Sequence, residues 1–230
     1  MSDMQWDRWA RGSGIPFAVL LIVGFTLFGD GPKVDASGSE VAAFYSDNGG
    51  RVLTAEPIIA VGFLFLLWFA GAIANILRQS GQGRLAATVL SLAGAAVGVA
   101  YVVQAVSASL ALNIADAGDD GVNQALNSLS WSIDALGAFL VGGFIGAATV
   151  GLTRAAIVPR WFMWIGVAAA VLVALRGTTW ASDGFWSPSG GYLYVLLIAG
   201  LGWAVLTSVL LFRAMPRVER PPQSASVRPA

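Results

Sequence analysis

The chain contains no cysteine and no histidine, and only 11% of its 230 residues are charged. Each shortage closes off chemistry. Without cysteine there is no disulfide, no thiolate nucleophile and no thiolate metal ligand. Without histidine the commonest general base, the commonest metal ligand and the usual haem ligand are missing together. A Ser–His protease and a His-dependent zinc protease are excluded on the same ground. Lysine occurs once, at Lys33 in a polar stretch. No lysine is therefore placed to carry a retinal Schiff base inside a bundle, and none follows a phosphate-cradling glycine loop. An aspartyl dyad needs two facing carboxylates at membrane depth, and Asp134 is the one acid that reads as intramembrane. No cofactor and no metal site are expected, and an enzyme is the least supported class.

The shortage of charge also fixes the solvent. A soluble domain of this length carries about a quarter charged residues. Here 57% of the residues are hydrophobic, the mean hydropathy is +0.72, and the apolar residues arrive in long blocks. The surroundings are lipid. Net charge is zero, so there is no basic surface for nucleic acid. The cationic residues are twelve Arg against the single Lys, in a background rich in Ala, Gly and Val. That bias points to a GC-rich bacterial genome, and the compartment is then the bacterial plasma membrane.

Six apolar stretches predict an all-α bundle of six transmembrane helices: Ile15–Gly29, Pro57–Leu77, Leu85–Leu112, Trp131–Thr153, Trp161–Arg176 and Tyr192–Phe212. About 20 helical residues cross a 30 Å hydrocarbon core, so the first and fifth are short and must borrow flanking residues. Backbone polar groups must be satisfied inside lipid, which makes helices the expected form of all six.

Arginine sets the orientation. With the N-terminus inside, the cytoplasmic segments hold Arg8, Arg11, Arg78, Arg84, Arg154, Arg160, Arg213, Arg217, Arg220 and Arg228. The other side holds Lys33, Arg51 and Arg176. The positive-inside rule selects this layout, with both termini cytoplasmic. Trp6, Trp9, Trp161 and Trp164 fit an inner aromatic belt, and Trp131, Trp180 and Trp186 an outer one. Asp3 and Asp7 spoil the basic region that a cleaved signal peptide needs. Residues 214–230 are rich in Pro, Ser and Arg and read as a disordered cytoplasmic tail.

The outer loops carry local signals. Ser37-Gly38-Ser39-Glu40 reads as a capping box. Val41, Phe44 and Tyr45 follow at helical spacing, and Asn48-Gly49-Gly50 reads as a stop. A short amphipathic helix lying on the outer surface is predicted. The loop Asp116-Ala117-Gly118-Asp119-Asp120-Gly121 fails as a calcium loop, because Gly118 and Asn127 stand where ligands belong. Asp119 or Asp120 is expected to cap a helix running into the fourth crossing.

Two faces of small residues predict close helix approach. The third crossing carries Gly94 and Gly98, flanked by Ala87 and Ser91 at spacing four. The fourth carries Gly142 and Gly146. These crossings are expected to pack on each other, within one subunit or across a homodimer. Polar chemistry concentrates at one depth. Asp134 lies one turn into the fourth crossing, Arg176 about 22 Å along the fifth, and Gln104 at a similar level on the third. Charge within the membrane is costly and needs a partner. An outer-leaflet cluster of Gln104, Asp134 and Arg176, with Asp134 paired to Arg176, is the candidate ligand or gating site. The plainer alternative is that each side chain reaches headgroups or forms a structural pair.

Val41-Ala42-Ala43-Phe44-Tyr45, Phe65-Leu66-Leu67-Trp68-Phe69, Val158-Pro159-Arg160-Trp161 and the run from Trp203 to Arg213 together resemble a family. It comprises small bacterial multi-pass integral membrane proteins defined only by a domain of unknown function. The resemblance implies a six-helix layout over nearly the whole chain and carries no catalytic residues. Three classes follow. The first is a non-enzymatic scaffold, accessory or envelope component, with the bilayer and a membrane protein or second copy as partners. The second is a small transporter or channel using Asp134. The third, least supported, is a lipid-acting enzyme using Arg51, Arg176 or Asp183.

Overall fold

A computed structural model describes residues 9–114 and 119–214. The predicted tail beyond Ala214, Trp6, Arg8 and the start of the Asp116 loop lie outside the described residues. The fold is all-α. Its helices are α1 (Gly14–Phe28), α2 (Gly38–Gln79), α3 (Gly83–Ser109), α4 (Asp120–Arg154), α5 (Trp161–Leu175) and α6 (Tyr192–Arg213). A π turn, Leu110–Ile114, prolongs α3, and a 3-10 turn, Arg176–Thr178, prolongs α5. Among the described residues, six helices are long and apolar enough to span a membrane, from Trp9–Phe28 to Tyr192–Arg213. The first and fifth of these reach beyond the predicted bounds, over Trp9 to Gly14 at one and over Gly177 and Thr178 at the other.

Six alternating crossings leave two unlike faces. One, the arginine face, gathers Arg11, Arg78, Arg84, Arg154, Arg160 and Arg213 beside tight α2–α3 and α4–α5 hairpins. The other, the loop face, holds the longer connections.

The first outer loop departs from expectation in one respect. The capping box forms: Ser37 Oγ accepts from the Glu40 backbone N–H at 3.3 Å, and the Ser37 N–H donates to Glu40 Oε2 at 2.8 Å. The helix that it starts, however, does not stop at Asn48-Gly49-Gly50. It runs unbroken into the second crossing and makes α2 42 residues long. Glycine in a helix interior costs only about 1 kcal/mol relative to alanine. Burial of Val41, Tyr45, Val52 and Ile59 along one face offsets that. A helix of this length measures about 63 Å, roughly twice the hydrocarbon core. The first half of α2 therefore stands beyond the membrane, continuous with the crossing. Gly38 starts it hard against α4, where a Cβ would strike the Asp120 carbonyl. Asp119 caps α4, accepting from the Gly121 N–H at 2.7 Å.

The connection from Gly29 to Ser37 is strapped over α4. Trp131 Nε1 donates to the Pro32 carbonyl at 3.0 Å, Asn127 Nδ2 to that of Lys33 at 2.7 Å, and Ser128 Oγ to that of Val34 at 3.0 Å. Trp131 is thus a structural tie as well as an interfacial aromatic. Arg51 is similarly occupied, donating to the Leu27 carbonyl at 3.3 Å and to Asn48 Oδ1 at 3.1 Å.

The main core lies toward the arginine face. Trp203 is 2% exposed and sits among Phe69, Phe144 and Phe162 at centroid distances of 6.1, 5.6 and 6.5 Å. Its Nε1 donates to Thr149 Oγ1 at 3.0 Å. Such a bond satisfies two polar groups that water cannot reach. Trp68, which precedes Arg78 by the same ten residues that separate Trp203 from Arg213, is 50% exposed instead.

The two glycine faces behave differently. Gly142 meets α5: a Cβ there would lie 2.8 Å from the Ala170 carbonyl and 2.9 Å from Ala174 Cβ. Gly146 also faces α5, with Ala170 Cβ at 3.7 Å. Gly94 and Gly98 are exposed, with nothing within 4 Å of an added Cβ. Helices α3 and α4 do pack on each other. They do so through Leu92 and Val99 of α3, set against Gly143 and Gly137 of α4. A small-residue motif permits close approach but does not choose the neighbour. The Gly94 face of α3 is turned outward.

Candidate functional site

Helix α4 turns one face inward over Asp134, Gly137, Ala138, Val141 and Ile145, at spacings of three and four. That periodicity carries Asp134 into the bundle on the same stripe as the small and apolar residues. Arg176 arrives from α5, at the point where its last turn tightens into the 3-10 segment. The two meet: Arg176 Nη2 lies 2.6 Å from Asp134 Oδ2. Nη1 donates to Thr179 Oγ1 at 3.0 Å, and that hydroxyl donates in turn to the Arg176 carbonyl at 2.7 Å. The guanidinium also lies 5.9 Å from the Trp131 ring centroid, within range of a cation–π contact.

The pair is lopsided. The Arg176 side chain is 0% exposed and that of Asp134 is 44% exposed. A cation so buried has lost its hydration, and only a close, hydrogen-bonded anion repays that loss. Two donors of the guanidinium are used, but Nε is buried without a partner.

Beneath the pair lies a cavity of about 140 Å³. All six helices line it: Phe17 and Leu21 of α1, Phe63 of α2, Val99 of α3, Val141 of α4, Val173 of α5 and Leu196 and Gly200 of α6 are among its walls. Asp134 and Arg176 are its only charged lining residues. Phe144 and Trp203 close the end toward the arginine face, where α4 and α6 touch. Loopward of that contact the two helices are parted by the cavity. A largely hydrocarbon-lined space of this size fits an apolar group about as large as a benzene ring. The arrangement can shelter a hydrophobic moiety and present it with a polar end.

Gln104 does not join the pair. It hydrogen-bonds to neither Asp134 nor Arg176, and it does not line the cavity. Its Nε2 is buried without a partner. The Tyr101 hydroxyl donates to the Ala60 carbonyl at 3.2 Å, which fixes the register of α3 on α2. Reading three residues along one helix and four back along the other brings Gln104 level with Glu56. Glu56 is 8% exposed and its Oε2 also lacks a partner. This buried acid escapes a sequence reading because Glu56-Pro57 looks like the start of a helix. The signal for it was the spacing of Tyr45, Val52, Glu56 and Ile59, which places all four on one buried face.

Asp183 lies elsewhere, in a polar surface pocket of about 190 Å³ with Lys33 and Ser182, Ser187 and Ser189. Arg51, Arg176 and Asp183 thus engage different neighbours and build no common site. No protein-family model, no curated protein and no solved structure matches this chain.

Proposed function

We propose that this protein is a non-catalytic, accessory integral component of a bacterial plasma membrane, and that its central cavity holds the apolar part of an amphiphile. One observation carries the reading. A largely apolar cavity lined from all six helices ends at a single ion pair whose carboxylate is half exposed. Hydrocarbon walls suit a lipid chain, and the polar end suits its headgroup.

Orientation and source rest on the sequence. The arginine-rich face is cytoplasmic by the positive-inside rule, and both ends of the chain lie there. The arginine bias and the resemblance to small bacterial multi-pass proteins of unknown function support the compartment. Because the chain has no cysteine, single introduced thiols report without background. A cysteine at Ser182 reacts with an impermeant maleimide on intact cells, and one at Ser80 does not. The reverse pattern overturns the orientation.

A second copy of this chain is the partner that the exposed face of Ala87, Ser91, Gly94 and Gly98 suits. Disulfide cross-linking of Gly94→Cys between copies tests it. The alternative function is a small transporter, and the exposure of Asp134 at the end of the cavity is what favours it. Uptake lost in Asp134→Asn vesicles, with the fold intact, promotes that reading.

The direct test of the main reading is lipid carried through purification. Mass spectrometry of protein in mild detergent is expected to find retained lipid. Gly200→Leu, which fills the cavity, is expected to lose it while remaining monodisperse. Equal retention by the two proteins overturns the reading.

A further inference from the structure

The ion pair that ends the cavity is a dipole with a direction. Its positive end is sealed: Arg176 is fully buried and held by Asp134 and Thr179, beside Trp131. Its negative end is open. Asp134 spends Oδ2 on the guanidinium, while Oδ1 has no hydrogen-bond partner among the described residues and the side chain is 44% exposed. No other charged side chain lines the cavity. Asp134 lines the cavity, so a polar group that accompanies an apolar chain into this space lies beside a carboxylate.

From this we infer that the site selects amphiphiles bearing a primary ammonium, which donates to Asp134 Oδ1, over those bearing a phosphate or carboxylate as their only charge. The inference rests on the cavity reading above and gives it a ligand class. An ammonium makes a charge-assisted hydrogen bond to the open oxygen and completes an alternating row of cation, anion and cation. An anionic head meets like charge at Asp134, and to pair with Nη2 it must displace the carboxylate from the 2.6 Å contact. The unpaired Arg176 Nε adds a second recognition element. It is a buried donor on a residue that lines the cavity. A carbonyl or ester oxygen beside the ammonium satisfies it, and an unsatisfied buried donor is costly.

Two sources share this chemistry, an aminophospholipid of the bilayer and a soluble hydrophobic amine. The probes are chain-matched phosphatidylethanolamine, phosphatidylcholine and phosphatidylglycerol, and separately dodecylamine and dodecanoate. Each is added to delipidated protein in detergent and counted by native mass spectrometry. Phosphatidylethanolamine adducts are expected to exceed phosphatidylglycerol adducts by about tenfold, the scale of one charge-assisted hydrogen bond. The difference is expected to fall below about twofold in Asp134→Asn and to return in Asp134→Glu. Dodecylamine binding with no phosphatidylethanolamine adduct assigns the same chemistry to a soluble amine. Equal adducts for all heads, a preference for anionic heads, or a preference unchanged in Asp134→Asn overturns the inference and leaves the cavity reading standing. Adducts unchanged in Gly200→Leu overturn the cavity reading itself. Should Asp134→Asn fail to fold, the wild-type comparison of ethanolamine with its trimethylated analogue decides, because choline keeps the charge but has no donor. Equal binding of those two then overturns the inference.

Discussion

The two halves of the bundle are built on opposite plans. Toward the arginine face, Trp203 is surrounded by Phe69, Phe144 and Phe162, and its one polar atom is satisfied by Thr149. Stability there is spread over many contacts, none of which carries charge. Toward the loop face, α4 and α6 are parted by a cavity, and a buried cation depends on one half-exposed carboxylate. That difference is why the proposed binding site is placed in the loop half. A half that is filled and neutral holds the fold. A half that keeps an open volume and a concentrated dipole has given up packing for something else.

The largest expected effect breaks the loop half. Asp134→Ala leaves the Arg176 guanidinium buried without an anion, a change costing about 3–5 kcal/mol, and the melting temperature in detergent should fall sharply. Converting both residues, Asp134→Ala with Arg176→Met, is expected to recover much of that loss. An unchanged melt in the single variant argues strongly against the pair as drawn. Next is Gly142→Ala, which drives a Cβ into the Ala170 carbonyl and Ala174 of α5. Overpacking of this kind costs about 1–3 kcal/mol, and the same melt reads it.

Smaller changes sharpen the contrast. Trp203→Phe removes the bond to Thr149 and should cost about 1 kcal/mol, and because the smaller ring only lengthens the cavity that Trp203 closes, lipid retention should hold or rise. Loss of retained lipid in that variant blurs the division between the halves. Ser37→Ala removes the cap of α2, worth about 1 kcal/mol, and hydrogen exchange should rise in its first turn alone. The least effect belongs to Gly94→Ala. Its Cβ meets nothing, so the melt should hold or rise by about 0.5–1 kcal/mol from helix propensity. A clear loss there means that the outward face of α3 is packed against a partner in detergent.

Much of the fold was written in the sequence because lipid imposes so narrow a choice. Long apolar runs must be helices, and the arginines mark the helix ends on one face. Asp134 and Arg176 stand out as opposite charges at similar depth, since helix rise alone converts residue number into depth. What residue number does not give is rotation about each helix axis. Gln104 shares the depth of the pair but neither bonds to it nor lines the cavity. Gly94 and Gly98 carry the same motif as Gly142 and Gly146, yet only the latter face a neighbour. Asn48-Gly49-Gly50 reads as a stop because glycine is a poor helix former in isolation. Packing of Tyr45 and Val52 overrides that locally. The cavity is the least legible feature, since it is a place where α4 and α6 do not meet, and no local pattern encodes an absence of contact.

The central claim is that the loop half holds an apolar guest beneath the Asp134–Arg176 pair. The measurement that meets it most directly is an experimental density map of the protein in a lipid nanodisc, with a bound antibody fragment to add mass. The account predicts continuous, non-protein density between α4 and α6, running from Trp203 to Asp134. A row of separate water peaks reaching Asp134, or a cavity closed by α6 packing onto α4, contradicts it.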